Sequence, residues 1–212
     1  MKLHSFVAEI SFFSLIFLGF VIPPIFNTHL NSELFIQWDF PWLQLIYAVI
    51  AAFIFLIFNE KQESKLVVFP VIFTVSLLFC ISLFIKFFSS LPLFYREAPL
   101  QVARPDSPVK WIFCIINFLA AAFFEEIIYR FYLADALFSL ISRKSAAKFW
   151  IVFCEVFACL FFAAAHLYLG VFSVINAALA HIALRFCYKK CGSIWCGVCA
   201  HFIYNVISLI LL

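Results

Sequence analysis

The stretch from Leu66 to Phe88 reads LVVFPVIFTVSLLFCISLFIKFF and contains one charged residue, Lys86. A helix of this length, at about 1.5 Å per residue, crosses the hydrocarbon core of a bilayer, which is roughly 30 Å thick. Comparable apolar stretches recur along the chain. They predict seven membrane-spanning helices, at about residues 6–26, 40–58, 66–88, 111–140, 148–169, 171–188 and 194–212.

The composition excludes a soluble globular fold. Apolar residues make up 67% of the chain and charged residues 12%, whereas soluble domains average about 45–50% and about 25%. We therefore expect an all-α fold, a polytopic transmembrane helical bundle in contact with membrane lipid. The connections are too short for a second domain, so residues 1–212 are expected to form a single membrane domain. The net charge of +3 is small and scattered, which does not indicate a nucleic-acid partner.

The distribution of basic residues predicts the orientation in the membrane, because Lys and Arg near span ends are retained on the cytoplasmic side. Most of them fall in the N-terminus or in the even-numbered connections, and only three fall in odd-numbered connections. We therefore expect a multi-pass cell-membrane protein with a cytoplasmic N-terminus. The residues on the predicted cytoplasmic side are Lys2, Lys61, Lys65, Arg143, Lys144, Lys148, Lys189 and Lys190, and the three exceptions are Arg96, Arg104 and Lys110.

Two adjacent carboxylates lie within the fourth predicted span. Glu126 and Arg130 are four residues apart, so a helix places them on one face, while Glu125 points about 100° away. We expect Arg130 to hold Glu126 as an ion pair and to leave Glu125 free to exchange protons. Ionisable side chains within a membrane are costly and usually mark a functional site. The alternative is a buried ion pair that only fixes helix packing.

Three further polar side chains lie in the later spans: His166 in span five, and His201 with Asn205 in span seven. His201 and Asn205 are four residues apart and can present two hydrogen-bond donors on one face, as an oxyanion requires. An antiparallel hairpin would bring His166 opposite Glu125. We therefore predict an active site between spans four, five and seven, in the cytoplasmic half of the membrane. The alternatives are a core histidine at position 166 and interhelical hydrogen bonds in span seven.

The ordered motifs resemble those of a known family. Glu125-Glu126-x-x-x-Arg130, Phe162-x-x-x-His166 and His201-x-x-x-Asn205 resemble the CAAX-protease and bacteriocin-processing (Abi) family, the type II CAAX prenyl endopeptidase-like intramembrane proteases. The turn from Lys190 to Trp195 fits the same pattern. The resemblance covers about residues 111–210.

This resemblance implies an intramembrane endopeptidase that acts on a peptide or protein substrate. Glu125 and His166 would activate a water molecule, and His201 and Asn205 would stabilise the tetrahedral oxyanion. Glu126 and Arg130 would order the site. The substrate, any need for a prenyl group and the oligomeric state are open at this point.

A metal-dependent reaction is the alternative, because the family is often labelled as metalloproteases. Glu125, His166 and His201 could then bind a divalent ion such as zinc. We expect no required cofactor, because the chain lacks a His-Glu-x-x-His motif and His201 is expected to pair with Asn205. A second, less favoured zinc ligand set is Cys187, Cys191, Cys196 and Cys199, although the eight cysteines fit better as small buried residues.

Two other functions fit the pattern less well. The chain could be a non-enzymatic membrane scaffold of the same family, such as a bacteriocin-immunity protein. It could also be a transporter with a proton relay, but the polar residues form one compact level in the membrane and no internal repeat is present.

Three other polar residues lie outside the motifs. We expect a packing or interfacial role for His181 and Arg185, and we expect Glu155 near the cytoplasmic end of span five.

Overall fold

The computed structural model describes residues 6–26, 38–58, 67–91, 104–142 and 148–211, and within these ranges all regular structure is helical. Of the basic residues from which the orientation is predicted, Lys2, Lys61, Lys65, Arg96, Arg143 and Lys144 lie outside the described residues. Seven helical segments match the seven predicted spans in order. They are α1 (Phe6–Phe26), α2 (Trp42–Phe58), α3 (Val68–Ser89), α4 (Pro108–Ile141), α5 (Lys148–Ala164), α6 (Val171–Cys191) and α7 (Ile194–Leu211).

The lengths and compositions of these helices support a membrane bundle. Five of the seven are long and apolar enough to cross a membrane, and α2 is a shorter apolar helix. Many large apolar side chains are exposed on the outside of the bundle; Phe69 is 77% exposed and Leu160 is 62% exposed. In water such a surface would aggregate, whereas hydrocarbon solvates it. The all-α polytopic class is thereby confirmed.

Helix α4 begins at Pro108, three residues before the predicted start, because the sequence there supplies a helix cap. Ser107 accepts a hydrogen bond from the Lys110 backbone N–H at 3.4 Å, and Pro108 occupies the first turn, where its missing N–H costs nothing. The same helix contains a π-helical stretch, Glu126–Leu133, in which every residue is buried. Wide π turns occur often at functional sites.

Helix α5 is shorter than predicted, which is a correction to the span at 148–169. It ends at Ala164, and a turn and a 3₁₀ segment, Leu167–Leu169, lead to Gly170. Gly170 has φ of +92°, a conformation that glycine adopts without steric cost, and this allows the chain to reverse into α6. His166 therefore lies in the turn after α5 and not within a regular helix.

The packing places α4, α6 and α7 at the centre of the bundle. Helix α6 packs against α3, α5 and α7, and α4 packs against α2 and α7. A large apolar core, which includes Ile127, Ile128 and Leu133, surrounds the π-helical stretch. A second cluster joins α3, α6 and α7 through residues such as Leu78 and Leu184. Polar groups on the inner faces of these helices are thus held away from lipid.

Candidate active site

Glu126 and Arg130 form a fully buried ion pair on the π-helical stretch of α4. Arg130 NH1 lies 3.4 Å from Glu126 Oε1, and both side chains are 0% exposed. The Arg130 guanidinium also stacks over the Phe162 ring of α5, 3.8 Å from the ring centroid. This cation–π contact is strong where water is excluded. The predicted Glu126–Arg130 pair is present, and the aromatic face of Phe162 completes its environment.

His201 of α7 contacts both carboxylates of α4. Its Nδ1 lies 2.9 Å from Glu126 Oε1, and its Nε2 lies 3.8 Å from Glu125 Oε2. An ionised carboxylate can only accept hydrogen bonds, so Nδ1 carries the proton in the bond to Glu126. This bond fixes the imidazole plane and leaves Nε2 directed at Glu125.

The two carboxylates differ in their access to the surroundings. The Glu126 side chain is 0% exposed and meets Arg130 and His201, whereas the Glu125 side chain is 27% exposed. The helical geometry that separates them by about 100° explains why one is enclosed and the other remains accessible.

Glycine at position 197 allows α7 to approach Glu126. A Cβ atom at Gly197 would lie 2.7 Å from Glu126 Oε2, closer than nonbonded atoms come. Gly197 is one turn before His201, so the same face of α7 supplies both the space and the imidazole for Glu126. Gly197 lies outside the motifs recognised in the sequence. A small residue one turn from a candidate histidine in a membrane helix is the signal that could have found it.

His166 is held by its own chain. Its Nδ1 lies 2.9 Å from the Phe162 carbonyl oxygen, so Nδ1–H donates and Nε2 is left as an acceptor. Its ring packs on Phe162, with ring centroids 4.8 Å apart. Among the described residues, His201 lies within ion-pairing distance of Glu125 and His166 does not. The two side chains predicted to face each other across the hairpin therefore do not form an ion pair.

A cavity of about 210 Å³ opens beside these groups and brings together His166, His201 and Asn205. The walls of this cavity come from α3, α5, the turn that follows it, α6 and α7, and no residue of α4 lines it. Glu125 lies beside His201 but does not line the cavity. The lining residues are Leu78, Phe162, His166, Leu169, Ser173, Asn176, Ala177, Ala180, Leu184, His201, Tyr204 and Asn205.

The expected pairing of His201 with Asn205 needs a correction. Both residues face the cavity, as their i, i+4 spacing predicts, but the close partner of His201 is Glu126. The reason is tertiary: α7 packs against the π-helical stretch of α4, and a carboxylate from another helix takes the imidazole N–H.

A second charged cluster lies close by and is centred on Arg185 of α6. Its guanidinium contacts Asp135 of α4 at 2.7 Å and Glu155 of α5 at 2.6 Å, and it donates a hydrogen bond to the Arg130 carbonyl oxygen. Arg185 therefore ties three helices together and holds the backbone of the π-helical stretch. This agrees with the packing role expected for it.

The described residues do not form a metal site. Among them, no group of three His, Cys, Asp or Glu side chains is arranged to hold a metal ion, so Glu125, His166 and His201 do not fit a three-ligand site. The same holds for Cys187, Cys191, Cys196 and Cys199, none of which forms a disulfide bond.

The fold and site define a polytopic helical membrane protein with a buried Glu–Arg–His cluster beside a polar cavity. Residues 107–207, which extend from the start of α4 into α7, match the family model described as Type II CAAX prenyl endopeptidase Rce1-like. This match confirms, over residues 107–207, the resemblance to that protease family which the three motifs predict. No curated protein and no solved structure matches the chain.

Proposed function

We propose that this protein is an intramembrane endopeptidase that hydrolyses a peptide bond with a water molecule activated by Glu125 and His166. The observation that carries the proposal is the contact of His201 with both carboxylates: Glu126, fully buried, fixes Nδ1, and Glu125, partly exposed, lies at Nε2. A protein scaffold needs no such division between an enclosed and an accessible carboxylate.

The base in this mechanism is Glu125. It is the carboxylate that a water molecule can reach, and it accepts the proton as the water oxygen attacks the peptide carbonyl carbon. His166 faces the cavity with Nε2 as an acceptor, which suits it to orient the same water. The proton then passes to the leaving amine as the carbon–nitrogen bond breaks, so that a carboxylic acid and an amine are formed.

The oxyanion donors are His201 and Asn205. Asn205 offers its side-chain N–H groups to the cavity, and His201 offers an N–H from Nε2 when its ring is protonated. Glu126 and Arg130 act as positioning residues that hold the imidazole in place.

The family match supports a substrate class. Because the family description names a CAAX prenyl endopeptidase, we propose a membrane-anchored peptide or protein substrate with a prenylated CAAX sequence. We propose that cleavage takes place at the cytoplasmic side of the cell membrane, in keeping with the basic-residue distribution.

The test compares purified wild-type protein with the Glu125→Gln and Glu9→Gln variants on a synthetic prenylated CAAX peptide. Glu9 lies in the first turn of α1 and serves as the matched control. We expect wild type and Glu9→Gln to release the C-terminal peptide, and Glu125→Gln to be slower by about 10²-fold or more while remaining folded. Membrane peptides from cells carrying each variant provide a second readout. Equal amounts of released peptide from wild type, Glu125→Gln and Glu9→Gln would refute the proposal and favour a non-enzymatic scaffold.

A further inference from the structure

Three hydrogen-bonding side chains from three helices meet at one wall of the cavity. Ser82 of α3 donates its hydroxyl hydrogen to Asn176 Oδ1 of α6 at 3.2 Å, and Ser82 Oγ is also hydrogen-bonded to the hydroxyl of Tyr204 of α7. Asn176 and Tyr204 line the cavity, and the nearly buried Ser82 joins them from behind. None of the three belongs to the motifs that suggest catalysis.

The hydrogens in this group can be assigned by counting donors. Ser82 has a single O–H, and Asn176 Oδ1 accepts it, so Tyr204 must be the donor in its bond to Ser82 Oγ. The Tyr204 oxygen then keeps lone pairs that can accept, and the Asn176 side-chain nitrogen keeps N–H groups that can donate. Ser82 thus holds one donor and one acceptor side by side on the cavity wall.

The rest of the cavity suits an uncharged ligand. Its lining residues include apolar side chains such as Leu78 and Leu184, and none of them is Asp, Glu, Lys or Arg. A phosphate or carboxylate would find no Lys or Arg among these lining residues, and an ammonium group would find no Asp or Glu. A neutral group with one acceptor and one donor matches this wall.

We propose that Asn176 and Tyr204, held by Ser82, form a subsite that binds one peptide group of the substrate backbone. Asn176 donates to its carbonyl oxygen, and the Tyr204 oxygen accepts from its N–H. The inference rests on the proposed function. It adds residues that hydrogen-bond to the backbone of the substrate and so do not depend on the substrate's side chains. Since His166, His201 and Asn205 face the same cavity, the subsite sets the register of the chain relative to the water and the oxyanion donors.

The experiment measures binding without turnover. In purified Glu125→Gln protein, the dissociation constant of a prenylated CAAX peptide is compared with those of analogues in which one peptide group at a time is replaced by an ester. An ester lacks the N–H and is a poorer acceptor. We expect one ester position to weaken binding by roughly 3- to 10-fold, the size of one or two hydrogen bonds.

That penalty should fall when the subsite is altered. Tyr204→Phe removes the acceptor for the peptide N–H, and Asn176→Asp removes the donors to the carbonyl oxygen while keeping the shape, so each variant should show a smaller difference between the peptide and its ester. Ser82→Ala should reduce the penalty. Ser76→Ala, a matched change on the exposed face of α3, should leave it intact.

The outcomes separate this inference from the proposed function. Peptide binding with the same ester penalty in the Tyr204→Phe and Asn176→Asp variants would overturn the subsite and leave the protease proposal standing. A folded wild-type chain that neither binds nor cleaves any of these peptides would overturn both. Circular dichroism on each variant identifies a loss of binding that comes only from unfolding.

Discussion

Glu126 Oε1 of α4 lies 2.9 Å from His201 Nδ1 of α7, although the two residues are 75 positions apart in the chain. The bond joins the π-helical stretch to the last helix at a point where both side chains are buried or nearly so. It makes Glu126 a structural partner of the imidazole and leaves Glu125 as the partly exposed carboxylate.

Substitutions in the glutamate pair should have different consequences. Glu125→Gln keeps the shape of a partly exposed side chain, so we expect normal folding with the loss of activity given above. Glu126→Gln leaves Arg130 without its countercharge in a fully buried place, so we expect a loss of roughly 3–5 kcal/mol of stability together with lower activity. Thermal unfolding in detergent and peptide hydrolysis measure the two effects. Equal unfolding temperatures for both variants would contradict the assignment.

Gly197 should tolerate no larger residue while Glu126 is in place. The added methyl of Gly197→Ala would meet Glu126 Oε2, which cannot move freely because the same carboxylate is held by Arg130 and His201. We expect a loss of about 1–3 kcal/mol in stability and a displaced His201, hence lower activity. The control is Gly19→Ala in α1, where nothing lies within 4 Å of the new methyl. Similar unfolding temperatures for the two alanine variants would show that the contact is unimportant.

Removal of metal tests whether the water is activated by Glu125 and His166 alone or by a bound metal ion. If Glu125 and His166 activate the water without an ion, protein treated with a chelator and assayed in metal-free buffer should retain its hydrolytic activity. The measurement is initial rate before and after treatment, with a zinc titration of the treated sample. Activity that is lost and then restored by one equivalent of zinc would refute the metal-free mechanism and make the histidines ligands.

The membrane topology is the fourth prediction. Seven spans with a cytoplasmic N-terminus place the end of α7 on the outer side and the connection between α4 and α5 on the inner side. Reporter fusions after Leu211 and in the α4–α5 connection, read in intact cells, test both positions. A cytoplasmic reporter after Leu211 would mean that the number of spans is even.

Apolar length alone predicted the order and approximate bounds of all seven helices. This works because in a membrane every backbone polar group must be bonded within its own helix, so a long apolar stretch has few alternatives. Helix ends were less predictable. Pro108 and Ser107 extend α4 beyond its apolar stretch, and the reversal at Gly170 ends α5 before His166, because local capping and turn geometry decide these positions.

The sequence by itself determined the helical membrane fold and, through residues spaced four apart, the Glu126–Arg130 pair and the shared face of His201 and Asn205. Only the tertiary structure decided that Glu126 bonds His201, that Gly197 makes room for it, and that Ser82, Asn176 and Tyr204 share a cavity wall. The physical reason is that spacing along one helix specifies a face. Which faces meet depends on how the helices pack, and no single stretch of sequence contains that information.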